Sequence, residues 1–204
     1  MINKKLVRTI FGVSLILNSI ACHAMSAQED IKIYQRHVQF GYEIEDLATL
    51  EEKSDIIVKA KVLPEKKTVS NSFGENVFTE ASTVITEVYS GNKKVGDTIR
   101  IVEEYTEGTD RNSDKCIYAC NLYEPCIADQ EYTFFLRYID NEKSLRYDMY
   151  EMPNIITGRY PALNNKVRTI SDVDFLDNKD FGLSKGNIAS YRNIFQEVAD
   201  KYMK

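Results

Sequence analysis

Three stretches of this chain, 56–63, 77–89 and 98–105, alternate polar and apolar residues with a period of two, and that period is the tightest constraint on its fold. A period of two sends successive side chains to opposite faces of a strand, so each stretch predicts a half-buried β-strand. In the first, Lys59 and Lys61 oppose Val58, Ala60 and Val62; in the third, Ile99 and Ile101 oppose Arg100 and Val102. The 77–89 stretch is long enough to bend around a barrel. A fourth strand at 131–139 carries Phe134, Phe135 and Leu136 in succession, the pattern of burial on both faces. Shorter strands are expected at 145–151, 155–160 and 166–170, with turns at 64–67, 140–143 and 161–165. Gly91 and Gly96 punctuate the connection 90–97, while 103–115 is charge-rich and shows no period.

Two helices flank the strands. Ile44, Leu47 and Leu50 form one apolar stripe that predicts a short helix over 42–53, ended by Ser54 and Asp55. After a polar linker at 171–186, Asn187 is expected to cap a final amphipathic helix with Ile188, Tyr191, Ile194, Phe195, Val198 and Tyr202 on its apolar face. The fold class is therefore mainly β: a small closed or partly closed barrel of about seven strands, with a short helix before the first and an amphipathic helix at the C-terminus. A two-sheet sandwich is the alternative.

The N-terminus reads as an export signal. Lys4, Lys5 and Arg8 precede an apolar run of about a dozen residues, shorter than the ~20 that a membrane-spanning helix needs. Cleavage after Ala21 would make Cys22 the first mature residue, a lipidation candidate although Ser19 departs from the usual lipobox; cleavage after Ala24 is the alternative. The expected organisation is a signal at 1–21 (or 1–24), a tether at 22–41, and one barrel domain with its C-terminal helix at 42–204. The location is extracytoplasmic, secreted or lipid-anchored, with membrane contact only through a lipid on Cys22. Loss of residues 1–21 removes three of 26 basic residues and no acidic ones, leaving 23 against 31 and a net charge of −8. Such a balance argues against a nucleic-acid partner.

Four blocks carry a resemblance: Glu51 through Val62; Ser82 through Gly91 with Val95-Gly96-Asp97-Thr98-Ile99; Asp129 through Leu136, with Gln130 where a glycine is usual; and Gly158-Arg159-Tyr160 with Asn165-Lys166-Val167. Together they resemble uncharacterised secreted or lipid-anchored bacterial barrel domains, similar in architecture to the OB-fold of netrin-like and metalloproteinase-inhibitor domains. The resemblance implies a fold and carries no functional residue across.

Candidate chemistry is sparse. Cys116, Cys120 and Cys126 lie in a C-x3-C-x5-C cluster, the wrong spacing for structural zinc, and export makes a disulfide between two of them the default. A cysteine nucleophile needs a thiolate-promoting base, and of two histidines only His37 is a candidate. Asp110, Asn112 and Asp114 match the first positions of a calcium loop, but Lys115 stands at the glycine position and Asn121 at that of the bidentate Glu. No cofactor motif and no metal site is expected. Among 13 tyrosines, Tyr118 and Tyr123 flank the cysteines and are candidates for contacting a protein partner. The expectation is a non-catalytic binding domain, inhibitor-like in one version, that engages its partner through 103–125; the alternative is a small hydrolase or redox enzyme using a loop cysteine.

Overall fold

The computed structural model describes residues 32–36, 44–120, 123–139, 149–162 and 185–203. The chain divides into Met1–Asp30 and Ile31–Lys204, and all described residues fall in the second unit. The signal, Cys22, His37, the expected strand at 166–170 and the linker at 171–184 lie outside the described residues, as do the side chains of Asn187 and Ile188.

The chain is mainly β, and its principal sheet is ring-like. Strands β2 (Ile56–Ser70), β3 (Asn76–Ser90), β4 (Thr98–Glu103), β7 (Glu131–Tyr138) and β8 (Met149–Glu151) follow one another in the order β2-β3-β4-β8-β7. A further antiparallel pairing, Ile56↔Leu136 through Lys61↔Glu131, joins β7 back to β2. Pairing is antiparallel throughout except between β4 and β8, which run parallel. A short β9 (Arg159–Pro161) extends β7. Outside the ring, β1 (Lys32–Arg36), β6 (Lys115–Cys120) and β5 (Tyr105–Thr109) make a small sheet in which β1 runs parallel to β6.

Several expectations change. The expected turn at 64–67 is a bulge inside β2: Val62 pairs with Thr83 and Lys66 with Ala81, so β2 carries two extra residues there. Pro64 sits in this irregularity, where its missing N–H costs no ladder bond. The patternless stretch 103–115 holds β5 and the start of β6, whose hairpin turns at Ser113 with φ 65°. Residues 155–158 form a turn, and the strand begins only at Arg159. Helix α1 spans Leu47–Glu52, shorter than expected, because Asp46 caps it by accepting the Thr49 N–H at 2.7 Å.

β7 explains the layers. Phe134 and Leu136 face one core with Val58, Ala60, Ile85 and Ile101, whereas Phe135 faces the other with Ile57 and the helices. That second core takes Leu47 and Leu50 from α1 and Tyr191, Ile194 and Val198 from α2 (Lys185–Tyr202). Tyr160 stacks on Tyr191 at 5.1 Å, and Tyr202 and Lys201 both bind Glu51 of α1. The final helix thus covers the outer face of the strand buried on both sides. Ile194→Ala, at a position with no solvent exposure, is expected to cost about 2–5 kcal/mol in urea unfolding. Amide exchange in α2 should rise before that in β7; equal protection in both would contradict this docking.

Candidate functional site

The densest polar chemistry among the described residues is buried, and it converges on Glu103. This residue ends β4 on the face shared by Ile99 and Ile101, so alternation drives its side chain inward to 0% exposure. A carboxylate there must be paired or pay several kcal/mol in lost hydration. The Lys66 ammonium lies 2.7 Å from Oε1; Oε2 accepts the Tyr123 hydroxyl at 2.9 Å and the Cys126 N–H at 2.6 Å. Arg159 of β9 stands 3.8 Å from Oε2 and donates to the Tyr123 oxygen at 3.2 Å and the Cys126 sulfur at 2.7 Å. Its guanidinium also covers the Tyr123 ring at 4.4 Å. Lys66 shares the inward row of Val58, Ala60 and Val62, because the irregularity in β2 inserts two residues and so leaves the parity unchanged.

The loop from Tyr123 to Ile127 is held at most of its polar backbone groups. Lys66 donates to the Cys126 carbonyl at 2.6 Å, Arg159 to the Glu124 carbonyl, and the Ile127 N–H to the Tyr132 hydroxyl at 2.9 Å. Cys126 is 2% and Tyr123 3% exposed. Burial pushes the Cys126 thiol up to about 12, against the opposing pull of Arg159, and pushes the Tyr123 phenol well above its ordinary value. At neutral pH the sulfur is therefore a protonated, hydrogen-bonded core group.

The three cysteines are all thiols, which corrects the expected disulfide. Cys116 and Cys120 stand four residues apart on β6, roughly 13 Å at the rise of a strand, far outside bridging range. The Cys126 sulfur is turned onto Arg159 inside the cluster. Tyr123 is likewise a core ring and not a surface contact, whereas Tyr118 is half-buried, stacked on the exposed Tyr34 at 5.5 Å. Its ring crosses Gly108, where a Cβ would come within 2.9 Å, and its hydroxyl donates to the Thr109 carbonyl.

The calcium-like loop is already occupied by its own chain. Asp110 Oδ1 accepts the N–H groups of Asn112 and Asp114, and Oδ2 accepts from Lys32 at 3.1 Å and Tyr34 at 3.3 Å. The Lys32 hydrogen bond chiefly holds the Asp110 carboxyl below its ordinary value. Among the described residues, no group of three or more His, Cys, Asp or Glu could hold a metal ion.

One open concavity was not foreseen. A groove of about 890 Å³ lies where the β3–β4 turn, the start of β4 and the ends of β7 and β8 meet Asp55 and Ile56. Lys93, Arg100 and Tyr138 line it, and Asp55 Oδ2 accepts the Tyr138 N–H at 2.7 Å. The glycines at 91 and 96 marked the turn, but the groove depends on strands meeting across the ring.

Two outcomes follow for the buried cluster. Glu103→Ala leaves Lys66 and Arg159 without their carboxylate and is expected to cost about 3–5 kcal/mol in denaturant unfolding. The Cys126 thiol keeps its proton in the fold and loses it in the unfolded chain above about pH 8.5, so stability should fall as pH rises, by about 1.4 kcal/mol per pH unit for this group. Cys126→Ser should flatten that slope between about pH 8.5 and 10, below the ordinary range of tyrosine; an unchanged slope would show that the thiol is not held protonated. No protein family matches this chain, and neither a curated protein nor a solved structure gave a match.

Proposed function

We propose that this chain is an exported, non-catalytic binding domain built as an OB-like barrel. The ring order supports the OB-like reading: numbered along the ring strands alone, the order is 1-2-3-5-4, closed between the fourth and the first, with the third parallel to the fifth. A five-strand, partly open barrel of this kind binds with its faces and loops. The netrin-like resemblance and the extracytoplasmic location stand with this reading as part of the proposal.

One contrast carries the functional part. The Cys126 thiol is turned inward and hydrogen-bonded, while the open groove carries cations, phenols, an amide and a hydroxyl, with its carboxylate Asp55 accepting the Tyr138 N–H. A thiol with its proton held to about 12 is a poor nucleophile. Iodoacetamide at neutral pH, followed by peptide mapping, should leave Cys126 unlabelled until denaturant is added. Rapid stoichiometric labelling of Cys126 in the folded protein would favour the small enzyme instead.

A protein partner is supported by a separate observation: edge strand β1 exposes both Ile33 and Tyr34 beside Tyr118. Tyr34→Ala combined with Tyr118→Ala should leave the melting temperature within a few degrees of the parent, whereas Tyr123→Ala should lower it strongly. A large loss from the first pair would make the stacked rings structural.

A further inference from the structure

We infer that the β2–β3 hairpin is a rigid finger that seats the Phe73 ring in an apolar, cation-rimmed pocket of a partner protein. This names the contact residue and the partner's surface for the binding domain proposed above, and it rests on that reading.

The finger begins where the ring ends. β2 pairs with β7 only as far as Lys61, and β3 pairs with β4 only from Thr79, whereas β2 and β3 pair with each other out to Ser70↔Asn76. Two strands alone are marginal in water, so the root of the hairpin has to be held from outside. On one face Phe78, 1% exposed, packs with Val69, Val102, Ile139 and Met149. On the other, the Thr79 hydroxyl donates to the Tyr105 carbonyl at 2.9 Å, and Lys66 is fixed by Glu103 at 2.7 Å. The buried ion cluster thereby anchors the root of the finger as well as the Cys126 loop.

The tip is equally fixed. Asn71 Oδ1 accepts the N–H groups of Phe73 and Glu75 at 2.9 and 3.0 Å, Asn71 Nδ2 donates to Glu75 Oε2 at 2.9 Å, and the Asn71 N–H donates to the Glu75 carbonyl at 2.8 Å. Gly74 supplies the left-handed residue at φ 79°. These bonds use Phe73 through its backbone alone; its ring is 87% exposed, the most of any large apolar side chain among the described residues. The ring thus adds nothing to the turn. An aromatic anchor held ready in this way suits a binding hot spot, because little freedom is left to lose on association. A convex tip carrying one ring buries most of its area in a concave site. Charge decides between a protein and a bilayer. From Thr68 to Thr79 the one charged side chain is Glu75, whose carboxylate takes only a neutral amide donor. A bilayer-seeking tip needs lysines or arginines beside its ring, since a single apolar group holds a protein to lipid weakly. An apolar pocket with a lysine or arginine at its rim matches both the ring and the lone anion.

The test replaces Phe73 by the photo-crosslinker p-benzoylphenylalanine in the full exported chain and irradiates it in the envelope of the cells that make it. One adduct with a different protein is expected, suppressed by an excess of the parent chain and not by an excess of Phe73→Ala. The crosslinked protein, once purified, should bind the parent chain about tenfold or more tighter than Phe73→Ala, a factor equal to about 1.4 kcal/mol. Phe73→Ala should keep the parent's melting temperature. Glu75→Gln, which retains an oxygen for Asn71, should slow association and flatten its salt dependence. No adduct, an adduct only between copies of this chain, equal competition by Phe73→Ala, Phe73-dependent flotation with phosphatidylethanolamine–phosphatidylglycerol vesicles, or a salt dependence unchanged in Glu75→Gln would overturn the inference. A partner lost on Tyr34→Ala with Tyr118→Ala but held by Phe73→Ala would overturn it as well, while leaving the binding-domain reading in place.

Discussion

The described fold depends most on the buried carboxylate of Glu103. A fully enclosed anion is tolerable only where geometry supplies opposite charge and donors together, and here they come from three segments besides its own. Lys66 comes from a bulge in β2, Arg159 from β9, Tyr123 and Cys126 from the loop before β7, and Glu103 itself from the end of β4. Each segment has strong neighbours, yet none fixes the others by backbone pairing alone at this point. The cluster is specific where an apolar contact would be permissive, because a slip of any one segment strands a charge in the interior.

β4 then relates the closed part of the molecule to the open part. Its last residue is Glu103, and its first residues, Thr98 and Ile99, border the groove. Five residues of strand separate these by roughly 17 Å. At one end the ring is sealed by ion pairs and stacked tyrosines; at the other, Thr98 and Ile99 border the groove together with Asp55 and Ile56. A strand anchored firmly at one end can present side chains at the other with little loss of precision, which is what a binding surface on a small scaffold needs.

Sequence periodicity reached the ring strands, because alternation records which face is inward. It also contained Glu103, since Ile99, Ile101 and Glu103 share one parity, and an acid on the inward row of a strand is itself a sign of a buried ion pair. The partners were not legible. Lys66 keeps the parity of Val62 but lies past the exposed Pro64 and Glu65, where the apolar alternation of β2 has stopped, and Arg159 follows a turn that no alternation marks. The hairpin of β5 and β6 was hidden because its first half is rich in charge and its apolar content is supplied by Tyr105 and Ala119 pairing across it. Tyr123 looked like a contact residue because it sits among loop residues; its burial comes from Glu103 and Arg159, both distant in the chain.

The thiols bring these threads together. In an exported chain, clustered cysteines suggest a covalent staple, and a short-loop disulfide would contribute about 3 kcal/mol, mainly by restricting the unfolded chain. Here the loop carrying Cys126 is instead held by charge-assisted hydrogen bonds from Lys66 and Arg159, whose removal costs a comparable amount. The two devices differ in what undoes them. A disulfide yields to reductant and ignores pH, whereas this cluster ignores reductant and weakens when its buried acids lose their protons. Keeping Cys126 protonated and enclosed also protects it from oxidation, since the thiolate is the reactive form. The same burial that makes Cys126 a poor nucleophile therefore lets a thiol serve as a structural group that oxidants do not readily reach.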